Sequence, residues 1–235
     1  MGILNKVKNE LLKKANQNQA KVFAGFFKTG KGEYGEGEKF LGIKTFNQKE
    51  IVKKYSQTIS LEEILTLLQK SKWHEEKTLA LRFLVFKYKK GTEAERKKIF
   101  HLYLNNTEFI NNWDLVDMTC QDIVGNYLFE KDRKILYKLA KSKNLWEKRI
   151  AIVSTLYFIS KNQLDDTFKL AEILLFDKND LIHKAVGWAL REAGKKDEKK
   201  LLAFLNKYKL KIPRTTLRYA IEKLPEKTRK ELMKK

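Results

Sequence analysis

From residue 47 onward, apolar residues recur three and four positions apart almost without interruption. "LEEILTLLQK", "EKTLALRFLVFKY", "RKKIFHLYL", "DRKILYKLAK", "KRIAIVSTLYFI", "TFKLAEILLF", "HKAVGWALREA" and "KKLLAFLNKY" each gather their apolar side chains on one helical face. The spacers between them, such as "KKGTE", "SKN" and "DKND", are short and polar. No stretch shows the period-two alternation that a half-buried strand requires. Only 2 prolines occur in 235 residues, and Leu, Lys, Glu, Ile and Ala are abundant. The chain is expected to be all-α.

The tryptophans add a longer period. Trp73, Trp113, Trp146 and Trp188 stand 40, 33 and 42 residues apart. The first three open helical patterns after polar turns, in "SKWHEEKTLAL", "NNWDLVDMTC" and "KNLWEKRIAIV"; "KNDLIHKAVGWAL" and "KIPRTTLRYAIEKL" continue the series. A loose repeat of roughly 35 to 40 residues, two helices each, is the pattern of a HEAT-like α-solenoid. Such an α-α superhelix builds a concave face from the second helix of each pair. A single domain over 1–235 follows, with N-terminal helices and a glycine-rich loop in 1–46 and helical repeats in 47–235.

That loop, "KTGKGEYGEGEKFLGIKT", holds Gly30, Gly32, Gly35, Gly37 and Gly42, five of the chain's 11 glycines. Gly30, Gly32 and Gly35 fit G-x-G-x-x-G. No strand precedes them and three glutamates line the segment, so it reads as a compact Ω-type loop rather than a phosphate cradle.

A formal net charge of +21 makes the expected concave face basic and suits a polyanionic partner, nucleic acid first and an anionic membrane second. Residues 194–235 hold 15 Lys or Arg against 5 Asp or Glu, a net of +10. This segment is either a phosphate-gripping terminus or the solvated cap that solenoids need. "PRTTLR" favours binding, because Arg214, Thr215 and Arg218 place donors at a helix start.

Cys120 is the only cysteine, and His74, His101 and His183 lie far apart, so neither a disulfide nor a metal site is expected. No apolar run is long enough to span a bilayer, and "MGILNK" lacks the apolar core of a signal peptide. The expected place is the cytoplasm, at the nucleoid when bound to DNA.

Chemistry must then come from acids and aromatics, since no Ser-His-Asp order and no HExxH motif is present. "NNWDLVDMTCQDIV" reads as an amphipathic helix, on which Trp113 and Asp117 share a face at a spacing of four. Arg149 of "WEKR" falls at the same level of the next repeat, Trp188 one repeat further, and Arg191 one turn beyond Trp188. Each has a plainer reading. Trp113 would pack between repeats, Asp117 would be a surface acid or pair with Arg149, and Arg191 would join a charge ladder. Asp114 reads as a first-turn helix acid.

The ordered set "KFLGIKT", "WDLVD", "WEKRIAIV", "KAVGWALRE" and "PRTTLRYAIEKL" resembles the DNA alkylation repair family, the AlkD-type HEAT-repeat DNA glycosylases, over about residues 20–224. The resemblance implies excision of cationic N3- or N7-alkylated purines from double-stranded DNA by a monomeric, cofactor-free hydrolase of N-glycosyl bonds. It places Trp113 and Asp117 against the deoxyribose, Trp188 as a second aromatic wall, and Arg149 on the backbone near the lesion. Lys184, Arg191, Arg214 and Arg218 are the expected DNA-binding residues.

An alkylated base leaves as a neutral group, so a carboxylate that stabilises an oxocarbenium-like sugar and an attacking water suffices without a general acid. One departure concerns "GFFK", where Phe26 or Phe27 stands in place of the family's tyrosine. Tyr34 on the glycine-rich loop is a candidate replacement. Two other readings remain: a non-catalytic HEAT-repeat protein that binds bent, branched or damaged DNA, and a protein-interaction solenoid.

Overall fold

The computed structural model describes residues 2–234, and among them no strand occurs. The chain divides into two compact units, one ending at Leu115 and the other beginning at Val116.

The first unit contains α1 (Ile3–Lys13), α2 (Gln17–Phe26), α3 (Thr45–Tyr55), α4 (Leu61–Gln69), α5 (His74–Lys90) and α6 (Glu93–Leu104). Their starts follow local chemistry. Asn16 accepts from the Gln19 amide, and Ser60 with Glu63 and Thr92 with Glu95 form reciprocal capping boxes. α4 packs on α5, α1 on α3 and α4, and α5 on α3 and α6. Ile51, Leu67, Leu79 and Phe83 are buried in this core.

The first turn of α5 organises the chain that precedes it. Glu75, 1% exposed, accepts hydrogen bonds from the amides of Leu41, Gly42 and Ile43 at 2.9, 2.8 and 3.1 Å. One buried carboxylate thus anchors "FLGI" through three charge-assisted bonds. Gly42 itself has φ +78°, and a Cβ there would sit 2.1 Å from the Asn16 carbonyl oxygen, so only glycine fits.

α7 (Trp113–Asp117) is followed, in the second unit, by a π-turn at Gln121–Gly125, α8 (Asn126–Leu128), α9 (Lys134–Ala140), α10 (Leu145–Ser160), α11 (Asp165–Leu174), α12 (Asp180–Gly194), α13 (Glu198–Lys207), α14 (Arg214–Ala220) and α15 (Glu226–Met233). α10 packs against the π-turn, α9, α11 and α12. α12 in turn packs against α11, α13 and α14. The chain's two prolines, Pro213 and Pro225, stand directly before α14 and α15, where a missing N–H leaves no helical bond unmade.

Within each unit, successive helices pack on their sequence neighbours, the local order of an all-α solenoid. One local expectation changes. "NNWDLVDMTCQDIV" is not a continuous helix, because α7 ends at Asp117 and the backbone widens into the π-turn. Gly125 closes that turn against α10: a Cβ there would lie 2.4 Å from the Ser154 carbonyl oxygen. The turn ends where α10 leaves no room for a side chain.

Candidate active site

In the second unit, Asp117 ends α7 and meets Arg149 of α10. Arg149 Nε donates to Asp117 Oδ1 at 2.8 Å, and Nη2 donates to Oδ2 at 2.7 Å. Nη1 donates to the Leu181 carbonyl oxygen at 2.7 Å, so the same guanidinium ties Asp117 to the start of α12. Arg149 is 5% exposed, while the Asp117 side chain keeps 18% of its surface open. α10 can present Arg149 this way because Asn144 caps it on the Trp146 amide and Trp146 is buried in its first turn. A planar fork suits this geometry, which a lysine cannot reproduce.

Three residues on, Cys120 is fully buried. Burial, and then the negative charge of Asp117, push its thiol far up, which keeps it protonated and excludes it as a nucleophile. Trp188 lies half-buried on α12. Beside it, Gly187 lets α14 approach closely: a Cβ would meet Tyr219 Cβ at 2.5 Å and the Thr216 carbonyl oxygen at 2.7 Å.

In the first unit, Trp113 belongs to an aromatic cluster. Its ring stacks on Phe27 at 5.4 Å and 17°, and meets the edge of Phe26 at 5.8 Å. Its Nε1 donates to the Tyr34 hydroxyl at 3.3 Å. Phe26 is 62% exposed although it is large and apolar. Phe27 and Phe40 stack on each other and both contact the buried His74 ring, at 4.9 and 4.7 Å.

His74 is the charged floor of this cluster. Its Nε2 lies 2.8 Å from Asp114 Oδ2 and its Nδ1 lies 3.3 Å from Glu38 Oε1. Burial opposes protonation, yet hydrogen bonds to Asp114 and Glu38 outweigh it and raise the imidazole to about 9. At neutral pH both ring nitrogens therefore donate. Lys77 Nζ donates to Glu38 at 2.9 Å and to Asn111 Oδ1 at 2.9 Å, which extends the network along α5.

A family model for DNA alkylation repair enzymes matches residues 7–224. The chain belongs to the DNA alkylation repair enzyme family. A solved structure described as a predicted DNA alkylation repair enzyme from Enterococcus faecalis is similar in fold, with a TM-score of 0.71 and 18% identity. The match covers 91% of this chain and 98% of that one. No curated protein matches the sequence.

In this member of the DNA alkylation repair enzyme family, the residues expected to contact DNA stand in different states. Arg214 and Arg218 are exposed on α14, although Arg214 Nη1 also donates to the Met233 carbonyl at 3.0 Å. Lys184 forms an i,i+4 pair with Asp180 at 2.8 Å. Arg191 is held between Glu192 and Glu222. Asp114, beyond standing in a helix's first turn, is a ligand of His74.

Sequence reasoning missed His74, Glu38 and Glu75. The available signal was "WHEEK", four consecutive polar residues that an amphipathic first turn does not require. The glycine-rich loop is not a phosphate cradle: the Gly30 amide donates to Glu33, Gly32 to Glu36 and Gly35 to the Lys28 carbonyl. Among the described residues, no group of three His, Cys, Asp or Glu is arranged to hold a metal ion, and no helix is long and apolar enough to cross a membrane.

Proposed function

We propose that this family member is a monofunctional DNA glycosylase that hydrolyses the N-glycosidic bond of cationic N3- and N7-alkylated purines in duplex DNA. The observation that carries the reading is the Asp117 carboxylate, clamped on both oxygens by a buried arginine yet still partly open to solvent. Such a carboxylate is fixed in orientation before any substrate arrives, the condition for electrostatic stabilisation of a developing charge. In this reading, Asp117 faces the oxocarbenium-like sugar and orients water, and Arg149 holds Asp117. Trp113 and Trp188 offer aromatic faces to the cationic sugar or base. Arg214, Arg218, Lys184 and Arg191 neutralise phosphates.

Magnitudes support a one-carboxylate mechanism. At about 4 Å and an effective dielectric of about 20, a carboxylate stabilises a unit positive charge by about 4 kcal/mol. The Arg149 charge, at about twice that distance on the far side, opposes it by about 2 kcal/mol. The remaining ~2 kcal/mol corresponds to roughly thirtyfold in rate. Orienting and deprotonating the water adds a further factor on the order of a hundred or more. A cationic leaving base needs no proton donor, which agrees with a site that offers neither an activated thiol nor a histidine beside Asp117.

The deciding experiment measures 7-methylguanine release from methylated duplex DNA. Wild type should release it, and Asp117→Asn should lose at least a hundredfold in rate while still binding DNA. An active Asp117→Asn variant would overturn the catalytic assignment. Wild-type binding with a steep salt dependence but no released base would assign the protein to the non-catalytic DNA-binding class.

A further inference from the structure

We infer that Tyr34 is a positioning residue: the glycine-rich loop exists to deliver its hydroxyl to the Trp113 indole and so fix the ring that meets the alkylated nucleotide. The inference deepens the glycosylase reading and rests on it for the substrate, but the geometry behind it lies entirely within the first unit.

The loop is built to one shape. Lys28 takes a left-handed conformation at φ +51°, and Gly32 and Gly37 both stand at +79°. Gly35, directly after Tyr34, lies so close to the end of α2 that a Cβ would meet the Phe27 carbonyl oxygen at 2.3 Å. Its amide donates to the Lys28 carbonyl at 3.1 Å. Glu33 closes the turn before Tyr34 by accepting from Gly30, and Glu36 closes the turn that spans it by accepting from Gly32. A loop held at this many points sets the direction of Tyr34 rather than leaving it to thermal averaging.

The hydroxyl then serves two partners. It accepts from Trp113 Nε1 at 3.3 Å and donates to the Phe26 carbonyl oxygen at 3.5 Å. Trp113 is thereby held by a stacked face on Phe27, an edge on Phe26 and a hydrogen bond at its nitrogen. Phenylalanine at position 34 would fill the same space and leave the indole N–H without this acceptor. The hydroxyl, and not the ring, is therefore the element the loop contributes.

The test combines a spectroscopic readout with kinetics on the full-length protein. In ¹⁵N-labelled protein the four tryptophans give four indole N–H signals, and Trp113's is the one lost in Trp113→Phe. In Tyr34→Phe that signal should shift and exchange faster with water, while the melting temperature stays near wild type. The kcat for 7-methylguanine release should fall about threefold to tenfold, the range set by one neutral hydrogen bond, with KM little changed.

An unmoved Trp113 signal in Tyr34→Phe, or an unchanged kcat, overturns the inference and leaves the glycosylase reading intact. A wild-type protein that releases no methylated base retires the glycosylase reading, while a shifted indole signal would still sustain the hold of Tyr34 on Trp113.

Discussion

Arg149 grips both carboxylate oxygens of Asp117 with one edge of its guanidinium, Nε on Oδ1 at 2.8 Å and Nη2 on Oδ2 at 2.7 Å, from a position that is 5% exposed. Removing one member leaves the other charged and largely buried, so each single variant should be costly. Arg149→Met and Asp117→Asn are each expected to lower the unfolding free energy by about 2–4 kcal/mol. The double variant should fall well short of the sum, because it no longer buries an unpaired charge. Urea unfolding of the four proteins closes the cycle, and additivity within about 0.5 kcal/mol would show that the pair is not energetically coupled.

Arg149→Lys separates charge from geometry. Lysine keeps the positive charge but cannot place two parallel donors on a carboxylate, nor reach the Leu181 carbonyl at the same time. Base release is expected to fall tenfold or more in kcat, with DNA affinity nearly unchanged. If affinity falls while kcat holds, Arg149 contacts the DNA backbone instead of orienting Asp117.

His74 should make the stability of the first unit pH-dependent in a defined direction. Its folded pKa, about 9, lies above the ordinary 6.5, because Asp114 and Glu38 favour the imidazolium despite burial. A raised pKa means that the stabilisation is complete below about pH 6.5 and is lost as pH rises through 9. The full amount is about 3 kcal/mol, taking roughly 1.4 kcal/mol per pH unit. The charged groups facing the ring are Asp114, Glu38 and, through Glu38, Lys77. Unfolding free energies of wild type and His74→Gln should converge between pH 6.5 and 9.5. A constant difference across that window would refute the assignment.

Much of this architecture was legible in the sequence because helices advertise their buried faces. The eight apolar segments from "LEEILTLLQK" to "KKLLAFLNKY" correspond to α4, α5, α6 and α9 to α13. Ion pairs across elements carry no such period. The pairing of Asp117 with Arg149 spans 32 residues and was foreseen only as one of several uses for the acid. The His74 network joins residues 38, 74, 77, 111 and 114, of which only 74 and 77 share a helical face. The π-turn was hidden for a different reason: the close contact with α10 at its end is a tertiary feature whose one local trace is Gly125.

Glu75 offers a stability test with a sharp chemical contrast. Its carboxylate holds three backbone amides of "FLGI" at 1% exposure. Glu75→Gln keeps the volume but turns one acceptor oxygen into a donor that faces N–H groups. The expected loss is about 2–4 kcal/mol of unfolding free energy, from weakened charge-assisted bonds and at least one unsatisfied buried donor. Hydrogen exchange at Leu41, Gly42 and Ile43 should accelerate more than exchange in α12. Equal protection in variant and wild type would mean that the loop is held by other contacts.

Gly125→Ala probes whether the close approach of the π-turn to α10 supports the Asp117 clamp. The added methyl would stand 2.4 Å from the Ser154 carbonyl oxygen and 2.8 Å from Tyr157 Cβ, neither of which can yield without moving α10. Overpacking of this kind costs about 1–3 kcal/mol. α10 also carries Arg149, so the displacement should loosen the fork on Asp117 and lower kcat by more than it lowers DNA affinity. Gly25→Ala is the matched control: it lies inside α2, a Cβ there meets nothing within 4 Å, and it should stabilise by roughly 0.5–1 kcal/mol. If both variants change stability alike, packing against α10 is not what requires glycine at 125. If Gly125→Ala lowers stability but leaves kcat at wild-type level, the clamp tolerates the displacement and the π-turn serves the fold alone.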